Sequence, residues 1–188
     1  MIKKQTSFNL NKVVYNLIYP AFLGSMLYAM FPNKYAMYHD SIDTTRYWFN
    51  LGVVFLYLLD YYQQYIFFGR SNTDRQSPPI LILIDIIVAL CLWTAFNAKY
   101  HIAFLCLLAL PFLFIVYPAY YTMTFRRIPI CCMHFVYGCF AVVIYFFIRN
   151  KSECFSWLFI FYMVFIYFFL IIIERKYDRQ KDDKFCDT

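Results

Sequence analysis

The sequence predicts an all-α, polytopic membrane bundle of six transmembrane helices, and three observations predict it. Apolar runs recur along the whole chain rather than in one anchor: 63% of residues are hydrophobic and 24% aromatic, and only 15% are charged, against roughly 25% in an ordinary soluble domain. Six of those runs come close to the roughly 20 residues a helix needs to cross about 30 Å of hydrocarbon. Lys and Arg are distributed unequally between alternating connections, which is the pattern that orients a membrane protein.

The six runs are 13–31, 47–68, 79–96, 100–123, 128–148 and 154–173, followed by a tail, 174–188. No remaining segment exceeds 15 residues, so the chain reads as a single integral-membrane domain. With the N-terminus inside, the inner side holds Lys3, Lys4, Lys12, Arg70, Arg75, Arg126, Arg127, Arg175, Lys176, Arg179, Lys181 and Lys184. The outer side holds only Lys34, Arg46, Lys99, Arg149 and Lys151. The expected topology is therefore N-in/C-in, multi-pass, in the cell inner (plasma) membrane. The net charge of +6 largely expresses this bias and favours anionic lipid headgroups. No basic stripe is interleaved with exposed aromatics, so nucleic acid is not an expected partner.

Residues 1–12 form a short basic leader. The apolar run behind it is too long for a usual signal-peptide core and no small-x-small cleavage site follows, so it reads as an uncleaved first span. Ala21, Ser25 and Ala29, with Gly24 beside them, make a small-residue stripe that would let another helix come close. The 32–46 connection holds Tyr35 and Tyr38 and leads into Tyr47 and Trp48, which suit an interfacial belt. His39, Asp40 and Asp43 lie near one another there; a solvated loop is the plainer reading of them than a cation site.

In the second span the polar residues Asn50, Tyr57, Asp60, Tyr61 and Gln64 fall on one helical face, with Gln63 adjacent. Pro79 suits the first position of the third span, in which Asp85 stands alone among aliphatics. Asn97 to Lys99 is so short that spans three and four must form an antiparallel hairpin. Pro111 and Pro118, seven residues apart, can bend the fourth span. In the fifth, His134, Tyr137, Gly138, Ala141 and Tyr145 share a face, and Gly138 with Ala141 offers a close-packing point. The sixth span has no charged or amide side chain, so it is expected at the periphery, facing lipid or another subunit. The tail is expected to continue that helix and then fray.

Asp60, Asp85 and His134 all fall in the inner half of the bundle. A carboxylate in hydrocarbon costs roughly 2.5–3.5 kcal/mol on insertion scales, so something must pair with it, hydrate it or hold a proton on it. If Asp60 and Asp85 meet, a proton, a cation or His134 has to sit between them. The three form the candidate ion or proton site, lined by Asn50, Tyr57, Tyr61, Gln63 and Gln64. A purely structural hydrogen-bond network is the competing account. No GxGD, HExxH, GxSxG or glycine-rich phosphate loop occurs, and no CxxC pair is present, so no enzyme, metal or cofactor is expected. Selectivity-filter, voltage-sensor and internal-repeat patterns are also missing.

Two function classes follow. One is a proton or cation conduit or gated pore, built as a homo-oligomer because so small a chain rarely encloses a pathway alone. The other is a non-enzymatic sensor or accessory subunit, of the immunity or phage-defence kind. It would signal to a soluble cytoplasmic partner through Arg126, Arg127, Arg175 and Lys176.

Overall fold

The computed structural model describes residues 10–30, 44–64, 79–121, 128–148 and 156–186. Among these, every element is helical. Helix α1 comprises Leu10–Val13, a π-helical turn Val14–Ile18 and Tyr19–Met30. Then come α2 (Thr44–Tyr62), α3 (Pro79–Asn97), α4 (Tyr100–Tyr121), α5 (Ile128–Ile148) and α6 (Ser156–Cys186). Within the described residues, each of the six predicted apolar runs lies on one of these helices. Three helical stretches are long and apolar enough to cross a membrane: Pro79–Asn97, Ile128–Ile148 and Ser156–Ile173. Tyr100–Val116 is a shorter apolar stretch. Among the described residues, α2, which carries the polar face, does not reach that length and apolarity.

The helices α2 to α6 form a closed cycle. Each packs on the next, and α6 returns to α2; α1 lies over the seam between α2 and α3. The α3–α4 connection is the antiparallel hairpin that its length demands, with Ala98 and Lys99 as the only intervening residues. Arg46 fastens this end. Its guanidinium donates to the carbonyls of Phe96 at 2.6 Å and Ala98 at 2.7 Å. The last carbonyls of a helix have no partner within it, and a cation there also complements the helix dipole. The same guanidinium lies 5.4 Å from the Phe49 ring centre and 5.0 Å from that of Tyr100.

Two glycines allow close helix contact. A Cβ on Gly52 of α2 would stand 2.5 Å from Ile160 Cγ1 of α6, and one on Gly138 of α5 would stand 2.8 Å from the Phe112 ring of α4. Gly138 thus acts as the expected close-packing point. The stripe on α1 behaves otherwise. Ala21, Gly24 and Ala29 are exposed, and a Cβ on Gly24 would meet nothing within 4 Å. Helix α1 packs instead through Tyr15, Tyr19 and Met26, with Phe22 stacked on Trp93 at 5.8 Å. Large tyrosine rings bury more area than alanines and also carry a polar tip.

The surface is the inverse of a soluble protein's. Tyr28, Trp48, Phe55, Leu83, Leu105, Phe147 and Phe161 are exposed, while Asp60, Gln63, Gln64, Asp85, His134 and Ser156 are buried. Continuous apolar exposure on every helix suits hydrocarbon rather than water.

Helix α6 departs from the expected peripheral position. It buries Ser156, Phe159, Ile160, Met163, Tyr167, Leu170 and Ile171. Its apolar part, 156–173, lacks charges and amides, yet it brings phenol oxygens inward, and these serve buried acceptors. The helix also runs unbroken past Ile173 to Cys186 rather than fraying early. Residues 174–186 contain no Gly or Pro, and opposite charges recur there at i, i+3 and i, i+4 (Arg175 and Asp178, Arg179 and Asp183). That spacing favours a helix.

Candidate functional site

The site grows from a defect in α1. Pro20 has no N–H, and its ring collides with the carbonyl four residues back. The turn before it widens: the Tyr19 amide donates to the Val14 carbonyl, an i→i−5 bond. In that register the next donor would be residue 20, serving the Tyr15 carbonyl, and proline has none to give. The hydroxyl of Tyr61 on α2 supplies the missing bond, donating to Tyr15 O at 3.3 Å. One turn along, Tyr57 donates to the Tyr19 carbonyl at 2.9 Å. The polar face of α2 is thus a set of donors matched to the disturbed backbone of α1.

The tyrosines of α1 point the other way, into the carboxyls. Tyr15 donates to Asp85 Oδ2. The Tyr19 hydroxyl lies 2.9 Å from Asp60 Oδ2 and 3.0 Å from the main-chain carbonyl of Asp85. One phenolic proton therefore has two acceptors in reach, one on α2 and one on α3. On its far side Asp60 Oδ1 is 3.2 Å from the hydroxyl of Tyr167 on α6, which also lies 2.8 Å from Gln63 Oε1. Asp60 and Asp85 are each 0% exposed. Hydrogen bonds to a charged acceptor contribute roughly 1.5–3 kcal/mol each. Two of them at Asp60 are of the size of the roughly 2.5–3.5 kcal/mol insertion cost of an acidic side chain, so the cluster can hold a carboxylate without a nearby cation.

Tyr19 is also the centre of a ring cluster. Tyr15, Tyr57 and Tyr61 lie 5.6, 5.3 and 5.5 Å from its ring centre. Stacked and tilted rings at these separations hold the hydroxyls in place by packing. His134 enters from α5, 2% exposed. Its ring is 6.1 Å from Phe114, and Phe114 stacks on Tyr167 at 4.6 Å. His134 thus joins the Asp60 cluster through aromatic contact.

All the lining residues expected from the sequence sit on the inward side of α2 or at its edge. Tyr57, Gln63 and Gln64 are buried; Asn50 and Tyr61 are partly buried. Two of their side-chain oxygens, Asn50 Oδ1 and Gln64 Oε1, are buried without a hydrogen-bond partner among the described residues. His39, Asp40 and Asp43 lie outside the described residues, as do Arg126 and Arg127. Lys176 is exposed on the extension of α6. Among the described residues, no three of His, Cys, Asp and Glu gather as a metal site would require.

Sequence reasoning missed Tyr15, Tyr19 and Tyr167. Spans one and six were not counted in the polar interior, yet their phenols hold both aspartates. A signal for the first pair was present: Tyr15 and Tyr19 are four apart on one helical face, and the second immediately precedes Pro20.

Compared with known proteins, the chain matches no family, no curated relative and no solved structure.

Proposed function

We propose that this chain is a multi-pass membrane protein, N-in/C-in, that assembles as a homo-oligomer and conducts protons or small cations past Asp60 and Asp85. The observation that carries the reading is the composition of α2's inward face. Asp60 stands there between Asn50 Oδ1 and Gln64 Oε1, two buried oxygens without a partner among the described residues. Buried polar atoms normally find a partner, and an orphan in a native interior is a place for water or an ion. Asn50 and Gln64 are 14 residues apart, about 21 Å along the helix, so the unserved oxygens bracket the carboxyl along the direction of transport.

In this reading Asp60 and Asp85 are the proton or cation sites. Tyr19 orients the Asp60 carboxyl, because its hydroxyl is held between Asp60 Oδ2 on α2 and the main-chain carbonyl of Asp85 on α3. His134 reaches the cluster from α5 through Phe114, which stacks on Tyr167, with Tyr57, Tyr61 and Gln63 completing the lining.

The test is flux in liposomes containing a pH-sensitive dye. Wild type should dissipate an imposed proton gradient, while Asp60→Asn and Asp85→Asn should not, though both remain folded and assembled. Equal dissipation by all three proteins would reject the reading.

A second reading has one observation in its favour. Helix α6 continues as a charged rod from Glu174 to Cys186, which suits a cytoplasmic docking element of a sensor or accessory subunit using Arg126, Arg127, Arg175 and Lys176. Removing 174–188 would then abolish co-purification of a soluble partner while leaving dye flux absent in every variant.

A further inference from the structure

We infer that the outward groove between α5 and α6 binds one acyl chain of an anionic phospholipid, whose headgroup is held at Lys176. The groove has a volume of about 560 Å³ and is lined by apolar side chains, among them Met133, Val136 and Phe140 of α5 and Phe165, Phe169 and Ile173 of α6. Both lining helices are long and apolar enough to cross a membrane, so the groove opens onto hydrocarbon. The α6 residues that line it advance by threes and fours, and Lys176 is the next position in that series, three beyond Ile173. It is exposed. In the sequence, Arg126 and Arg127 stand just ahead of α5. The wall is apolar, and among the described residues the exposed charge that continues its face, Lys176, is a cation. A phosphodiester headgroup on a hydrocarbon tail meets both requirements.

A second copy of this chain is the competing occupant. Two copies of one topology in a bilayer are related by an axis along the membrane normal, which brings equal depths together. Lys176 would then confront Lys176 across the interface. A narrow concave groove also suits a flexible chain better than the broad face of a helix.

The inference rests on the membrane reading and is independent of proton conduction. The protein, extracted from the membrane fraction in mild detergent, is incubated separately with dioleoylphosphatidylglycerol and dioleoylphosphatidylcholine. Native mass spectrometry then reads the lipid retained per protomer. Wild type should retain phosphatidylglycerol preferentially. Lys176→Gln should weaken that retention about fivefold and leave phosphatidylcholine unchanged. Val136→Trp places an indole in the groove at a position already 50% exposed, so it should fold normally and lose retention of both lipids. Asp60→Asn should leave lipid retention unchanged whether or not the protein conducts. Undiminished retention in Val136→Trp, or an unchanged preference in Lys176→Gln, would overturn the inference. So would a wild-type dimer that Val136→Trp converts to a monomer with no change in bound lipid. Recovery of the chain in the soluble fraction would instead remove the membrane reading itself.

Discussion

The phenol of Tyr61 donates to the main-chain carbonyl of Tyr15 at 3.3 Å, the acceptor that Pro20 leaves unserved in the π-helical turn of α1. A side chain on one helix thereby completes the backbone of another. The residue that causes the defect and the residue that repairs it are 41 positions apart in the sequence.

This relationship predicts a coupled pair of variants. Tyr61→Phe should lower stability by about 1–2 kcal/mol, the cost of an unsatisfied buried carbonyl. Pro20→Ala restores an amide that can serve α1 itself. In that background Tyr61→Phe should cost markedly less. Thermal unfolding of the four proteins in detergent closes the double-mutant cycle, and a coupling near zero would show that the two residues act independently.

Tyr19 should matter for transport beyond its place in the core. Tyr19→Phe keeps the ring among Tyr15, Tyr57 and Tyr61 and removes only the hydroxyl shared by Asp60 and the Asp85 carbonyl. One hydrogen bond of about 1–1.5 kcal/mol corresponds to about a tenfold slower dye response. A stability loss of about 1.5–3 kcal/mol together with reduced flux per folded protomer is the expected pattern. Full flux would remove Tyr19 from the pathway.

Gly52 sets the approach of α2 to α6. Gly52→Ala places a methyl 2.5 Å from Ile160 Cγ1, and overpacking of this kind costs about 1–3 kcal/mol. Ile160 is buried, so the strain has little room to relax. Shortening it in the double variant Gly52→Ala/Ile160→Ala should recover part of the loss, so that the double is more stable than the sum of the two singles. Melting temperatures in one detergent decide it.

Arg46 should behave as a cap rather than as a surface cation. Arg46→Lys keeps the charge but loses the forked donation to Phe96 and Ala98 and the planar contact with the Phe49 and Tyr100 rings. Faster hydrogen exchange is expected at the amides of 96–103, with exchange in α5 unaltered. Unchanged protection around the α3–α4 turn would show that the cap contributes nothing there.

The sequence by itself determined that the chain is helical, where the six helices lie, and that α2 turns one polar face inward with Asp60 on it. It also determined that Asp85 and His134 would be buried among apolar neighbours. These are local properties: a helical face is written in spacings of three and four, and the cost of a lone carboxylate in an apolar run does not depend on its partners' identity. Only the tertiary structure decided which groups answer the carboxyls. Tyr19 lies 41 residues from Asp60, and Tyr167 lies 107. Periodicity along a chain carries no information at those separations. A tyrosine on an apolar helix also reads equally as an interfacial anchor or as an interior donor, because its ring is apolar and its tip is not. The order in which helices close around α2 chose the interior role for Tyr15, Tyr19 and Tyr167, and brought α6 from the edge into the core.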